Sequence, residues 1–187
     1  SDVPRALTGA DAVLVTHEHG DHVVPDVLVA ALATDPSLHV WAPASVVALL
    51  VAAGAASAQV SAVRAGDRFD AAGLAVEVVG ELHALIHQDV PRITNVGYLI
   101  GGVYHPGDAF TVPDGSVEVL LAPVGAPWLR LGEAIDFVRA VAPSVVVPIH
   151  DALLSDAGRQ IADRLLTTLG GAGEYRRLVV GEGIDIV

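Results

Sequence analysis

With 187 residues, 52% of them hydrophobic, and a formal net charge of −12, the chain can bury a sizeable core and reads as a single domain spanning residues 1–187. No apolar run approaches the roughly 18 residues of a membrane span, and the ten cationic residues, all arginine, gather only at Arg176 and Arg177, which argues against a nucleic-acid surface. Cysteine is absent, so disulfides and thiolate ligands are excluded and any metal must be held by imidazole and carboxylate, a donor set for hard or borderline divalent ions.

Residues 11–16 read as a short apolar strand and residues 25–33 as a helix. Between them, Thr16-His17-Glu18-His19-Gly20-Asp21-His22 places three imidazoles and a carboxylate on a strand-to-helix loop, at the carboxyl end of a strand where ligands bind in open α/β sheets. Packing alone does not account for such density, because each polar group needs a partner; a metal supplies it. His17 and His19 are two apart and share a side in an extended segment, whereas Asp21 and His22 can face a second ion.

Further along, residues 38–42 are predicted to be a strand, 43–53 a helix opened by its proline, and 59–63 another strand. From Asp67 the pattern changes to hairpins: residues 68–70, a turn at 71–73, and a strand over 74–79; then residues 95–100, the Gly101-Gly102 turn, and 103–105. Residues 117–121 and 144–149 read as buried strands, 132–141 and 156–169 as helices, and 175–180 and 184–187 as extended. Three later residues lie at predicted strand ends or loops: His83, Asp108 in His105-Pro106-Gly107-Asp108, and His150. With the first cluster they make five imidazoles and two carboxylates.

These motifs resemble the metallo-β-lactamase superfamily, whose His-x-His-x-Asp-His signature stands here as His17, His19, Asp21 and His22. Asn95-Val96-Gly97-Tyr98, His105-Pro106-Gly107-Asp108 and Pro148-Ile149-His150-Asp151 are similar to the hydrolase branch with ascorbate-phosphate lactonase-like proteins. The resemblance implies a four-layer α/β/β/α sandwich and a binuclear metal centre. His17, His19 and His83 would hold one ion, Asp21, His22 and His150 the other, and Asp108 would bridge them. Zinc is the first expectation for both ions, with manganese or iron as alternatives. It also implies strands ahead of the signature strand, whereas ten residues precede Asp11, so the first N-terminal strands are expected to be missing from this sequence. An uncovered sheet edge is an association hazard and leaves a homo-oligomer open.

The implied activity is that of a metal-dependent hydrolase. A hydroxide bridging the two ions attacks a small ester, lactone, thioester or phosphoester, and Asp21 orients the nucleophilic water. The lack of cysteine argues against an antibiotic substrate. Two alternatives are a phosphodiesterase or nuclease of the same fold, which the acidic balance disfavours, and a non-catalytic metal-stabilised binding protein. The expected partner is a small-molecule substrate, with neither nucleic acid nor membrane, and the expected compartment is the cytoplasm. His39 is expected to be a strand residue without catalytic duty. His87 and His105 are each balanced between a role at the site and a structural or solvated one, and Tyr98 and Trp128 between shaping the cleft and filling the core.

Overall fold

A computed structural model describes residues 6–184; the predicted extended segment 184–187 therefore lies, from residue 185 onward, outside the described residues. Two sheets form. The smaller joins β1 (Ala12–Leu14), β2 (His39–Ala42) and β3 (Val60–Ala62) in parallel, in that order, with α1 (Pro25–Thr34) and α2 (Ala44–Ala52) as crossovers. The larger is mixed: β4 (Arg68–Ala71), β5 (Leu74–Val79), β6 (Gly97–Ile100) and β7 (Val103–His105) pair antiparallel, then β8 (Val119–Pro123), β9 (Val145–Ile149) and β10 (Glu174–Tyr175) continue in parallel. Helices α3 (Leu131–Val141) and α4 (Asp156–Leu169) complete the chain.

The strand period of two sorts these sheets into layers. In β2, Val40 and Ala42 are buried with Leu28, Leu32, Val46 and Leu50 beneath the first two helices, while Trp41 between them packs on the other side. That other side is a sheet-to-sheet interface where Phe69, Val76, Val78 and Tyr98 of the large sheet, with the adjoining Val96, meet Leu14 and Trp41 of the small one. A third cluster, including Leu120, Ala122, Phe137, Val138, Val146 and Leu166, seals α3 and α4 against the outer face of the large sheet. Three apolar interfaces thus hold four layers, the α/β/β/α sandwich expected from the sequence.

Strand polarity positions the site. Strands β5, β7, β8 and β9 run the same way, so their carboxyl ends meet at one edge, and the loop after β1 arrives at that edge from the other sheet. The crossing is pinned by the Tyr98 hydroxyl, which donates to the Val15 and Trp41 carbonyls (2.8 and 3.3 Å), and by the Val96 amide on the Thr16 carbonyl (3.0 Å). Tyr98 is therefore an inter-sheet strut.

Of the boundaries that differ from the sequence reading, two bear on the site. The strand predicted over 117–121 is β8 at Val119–Pro123, and this later register pairs Pro123 with Ile149 and brings the Gly125 carbonyl beside His150. The predicted extended run 175–180 shrinks to Glu174–Tyr175: the Arg176 amide still donates to Val146, but Arg177 turns to pair with two aspartates instead of continuing the sheet. Among the described residues β1 pairs only with β2 and forms the edge of the small sheet.

Candidate metal centre

The loop from Val15 to Val24 is short and tightly turned, with the His22 and Val23 amides both donating to the His19 carbonyl (2.9 and 3.1 Å) before Pro25 opens α1. That turn separates His17 and His19 from Asp21 and His22. His83 comes from the loop after β5, Asp108 from the loop after β7, and His150 from the end of β9. All seven residues singled out in the sequence are brought together. His17, His19 and His83 each offer a ligand atom within 4.8 Å of the others, as do Asp21, His22 and His150 in a second group, and His17, His22 and Asp108 in a third.

Asp108 stands between the two groups: its carboxylate lies 3.2 Å from His22 Nε2, 3.5 Å from His83 Nε2 and 3.3 Å from His150 Nε2. His17 is fully buried, and His83 and Asp108 are nearly so. Burial alone pushes the Asp108 carboxyl up, but the close imidazoles of His150, His22 and His83 and the Trp128 N–H outweigh it and hold it well below the ordinary carboxylate range. The same contact pushes His150 up to about 9. Burial, reinforced by His22, pushes His17 down to about 3, and burial with His83 lowers His19. For His83, burial acts downward, yet Asp108 and the Ala84 carbonyl win and raise it.

Hydrogen bonding on the far side of the rings decides which nitrogen faces inward. His83 Nδ1 lies 2.6 Å from the Ala84 carbonyl and His150 Nδ1 lies 2.7 Å from the Gly125 carbonyl. A carbonyl only accepts, so Nδ1 carries the proton, and in the neutral ring Nε2 presents a bare lone pair. His17 Nδ1 is likewise engaged, by Thr16 Oγ1 at 3.0 Å. Among the described residues, buried side-chain atoms without a hydrogen-bond partner include Nε2 of His17, His83 and His150 and Oδ1 of Asp108. Four inward-facing ligand atoms left unpaired in one place would be costly in a folded protein, and divalent cations held among them would satisfy them.

A family model described as the beta-lactamase superfamily domain matches residues 2–150. The chain belongs to that superfamily. The protein Rv0786c of Mycobacterium tuberculosis is 38% identical to this superfamily member over 171 residues, 88% of this chain and 78% of the relative. The UPF0173 metal-dependent hydrolase MK1542 of Methanopyrus kandleri is 30% identical over 156 residues, 75% of this chain and 66% of its own. In structure the chain is similar to Igni18, a metallo hydrolase from the hyperthermophilic archaeon Ignicoccus hospitalis, with a TM-score of 0.70 at 23% identity, covering 92% of this chain and 78% of that one. That likeness shows the metallo-β-lactamase fold, with the four layers described above.

Two residues that the sequence reading named without a role at the site, Trp128 left undecided and Asn95 quoted only within a motif, support this superfamily site. Trp128 Nε1 donates to Asp108 Oδ2 at 2.9 Å, and its buried ring packs edge-on against His83 and Phe110. Asn95, also buried, accepts from the Asp108 amide (2.9 Å) and donates to the Pro106 carbonyl (3.0 Å), so one side chain sets the whole 106–108 turn. A lone asparagine opening an apolar strand was the available signal. Trp128→Phe keeps the ring and removes only the N–H; it is expected to weaken metal affinity or turnover about 10- to 100-fold, the usual range for a group orienting a ligand, as measured by competitive metal titration and steady-state kinetics.

The remaining histidines divide. His39 Nε2 bonds Ser61 Oγ at 2.8 Å and its ring lies on Trp41, within the small sheet, so His39→Ala is expected to leave kcat/KM unchanged; a loss beyond about tenfold would contradict that placement. His87 is exposed on the loop and paired with the equally exposed Asp89. His105 accepts from the Gly107 amide through Nδ1 (3.0 Å) and shares two cavities with His22; burial, together with His22, pushes it down to about 4.

Proposed function

We propose that this metal-dependent hydrolase of the metallo-β-lactamase superfamily works with two divalent ions, zinc foremost, on a small ester, lactone, thioester or phosphoester. The observation that supports it is the set of buried, unpartnered Nε2 atoms of His17, His83 and His150, with the partnerless Asp108 oxygen among them. In this reading His17, His19 and His83 hold one ion, Asp21, His22 and His150 hold the other, and Asp108 is shared. When bound, such a pair supplies Lewis acidity and a water acidified towards neutral pH.

The chain's own residues do the rest. The Ala84 and Gly125 carbonyls keep the His83 and His150 lone pairs pointed inward, and the Trp128 N–H donates to the Asp108 carboxylate and orients it. Asp21, with a 65% exposed side chain at the cleft, has an oxygen free to accept a hydrogen bond from the attacking water and take up its proton. The adjoining cleft, about 650 Å³, is lined by Asp21, His22, His105, His150, Val24 and Leu153, with no arginine among the described residues that line it. Its size and the lack of arginine among its described lining favour a small, weakly charged substrate over a polyphosphate backbone.

Dialysis against a chelator is expected to reduce turnover of an ester, thioester and phosphodiester panel to background, with zinc or manganese restoring it and the rate nearly flat between about 50 and 200 mM salt. Metal-loaded protein inactive on every substrate would instead favour a binding role, and a steep salt dependence a nucleic-acid substrate. In either outcome the proposal is wrong.

A further inference from the structure

His150 occupies the left-handed backbone region, φ +58°, without being glycine. Such a conformation is strained for a residue with a Cβ and persists only where surrounding contacts over-determine it. One restraint acts on the ring itself, through the Gly125 carbonyl. The other acts on the next residue. The Asp151 carboxylate receives Arg177 Nη1 at 2.5 Å and lies 3.2 Å from Arg159 Nε, while the Asp151 carbonyl accepts from the Leu154 amide at 2.9 Å.

Arg177 does more than neutralise Asp151. Its guanidinium grips Asp163 on α4 with two parallel bonds, Nε to Oδ2 at 2.9 Å and Nη2 to Oδ1 at 2.6 Å, and the Tyr175 hydroxyl donates to the same Asp163 oxygen at 2.5 Å. One planar, fork-shaped group therefore ties the residue following His150 to the middle of a packed helix. A lysine ammonium does not reproduce that two-sided geometry. The three side chains are each only 27–31% exposed, which shields the pairs from full solvent screening. Asp151, Arg159, Asp163 and Arg177 all lie beyond residue 150, where the family match ends.

We infer that Arg177 is a positioning residue for the second metal ion: by clamping Asp151 to α4 it holds His150 in the strained conformation that aims Nε2 at Asp21 and Asp108 (3.5 and 3.3 Å). This rests on the two-ion reading above. His17, His19 and His83, on the other side of Asp108, take no support from the clamp, so the two ions respond differently to its loss.

The test is zinc titration of full-length chains against a chromophoric competitor, with cobalt(II) absorption as a second readout. Wild-type protein takes up two ions. Arg177→Ala keeps the first at wild-type affinity and binds the second about 10- to 100-fold more weakly, Arg177→Lys does not restore it, and the cobalt spectrum changes only in the second half of the titration. Arg164→Ala, removing the same charge from an exposed position on α4, leaves both affinities unchanged. Should Arg177→Ala fail to fold, Asp163→Asn, which releases only the helix end of the clamp, is read instead and shows the same selective loss. Unchanged second-site affinity, an equal fall at both sites, or full rescue by lysine overturns the role of Arg177. A wild-type chain that takes up one ion fails the two-ion reading itself, and this inference with it.

Discussion

Asp108→Asn is expected to lower turnover by about 10³-fold or more and to bring metal content below two ions per chain. The amide has nearly the shape of the carboxylate, so packing against Trp128 survives. What disappears is the negative charge that lies within 3.5 Å of three imidazoles, His83 from one proposed ion-binding group and His22 and His150 from the other. An Asn amide nitrogen turned towards those rings offers hydrogens where an electron pair is required, and two cations held there would have no anionic Asp108 group to share. Elemental analysis after gel filtration, beside steady-state kinetics on the best substrate of the panel, gives the result. Two ions per chain at an unchanged rate would remove Asp108 from the centre.

Gly107→Ala is expected to damage the same centre through the backbone. Gly107 sits at φ +64°, and a Cβ added there would lie 2.2 Å from Asn95 Oδ1 and 2.9 Å from Thr16 Cβ. Neither neighbour can retreat. Asn95 is buried and holds the Pro106 carbonyl and the Asp108 amide, and Thr16 is buried at the head of the histidine loop. Left-handed strain of about 1–2 kcal/mol, with one or two buried hydrogen bonds worth roughly 1 kcal/mol each, adds up to about 3 kcal/mol. For a chain of this length that is a fall in Tm of about 6–12 °C. Metal-free protein in a thermal melt provides the measurement. Gly20→Ala, where a Cβ meets nothing within 4 Å, is the control expected to melt with wild type. Equal melting of all three chains would mean that the 106–108 turn yields more easily than its contacts suggest.

How much of this was legible beforehand depends on how far apart the contacting residues lie. His17, His19, Asp21 and His22 announce themselves because the whole pattern fits on one loop. His83, Asp108 and His150 could be nominated because each follows a strand and the resemblance supplies their order, but as isolated residues they carry no signal. Trp128, Asn95 and Arg177 were missed or left undecided for one reason: each acts through a bond to a residue at least 13 positions away (20 for Trp128 to Asp108, 13 for Asn95 to Asp108, 26 for Arg177 to Asp151), and nothing in their local surroundings marks it. The two misplaced strand ends have the same origin. An apolar run shows that a strand exists, while its final register is chosen by the partner strand, here β9 for β8, and by Asp163 and Asp151 for the segment after Tyr175.

Residue identity and apolar period, both local properties, were enough to specify the alternating elements and a donor set of imidazole and carboxylate without thiolate, while the layered α/β/β/α class came with the family resemblance. Only the folded chain could decide that four strands end at a common edge, that the Ala84 and Gly125 carbonyls leave Nε2 of His83 and His150 as the bare nitrogen, and that Arg177 grips the residue beside His150. A tautomer or a clamp is set by distances of about 3 Å between segments remote in sequence, and those distances exist only once the layers have packed.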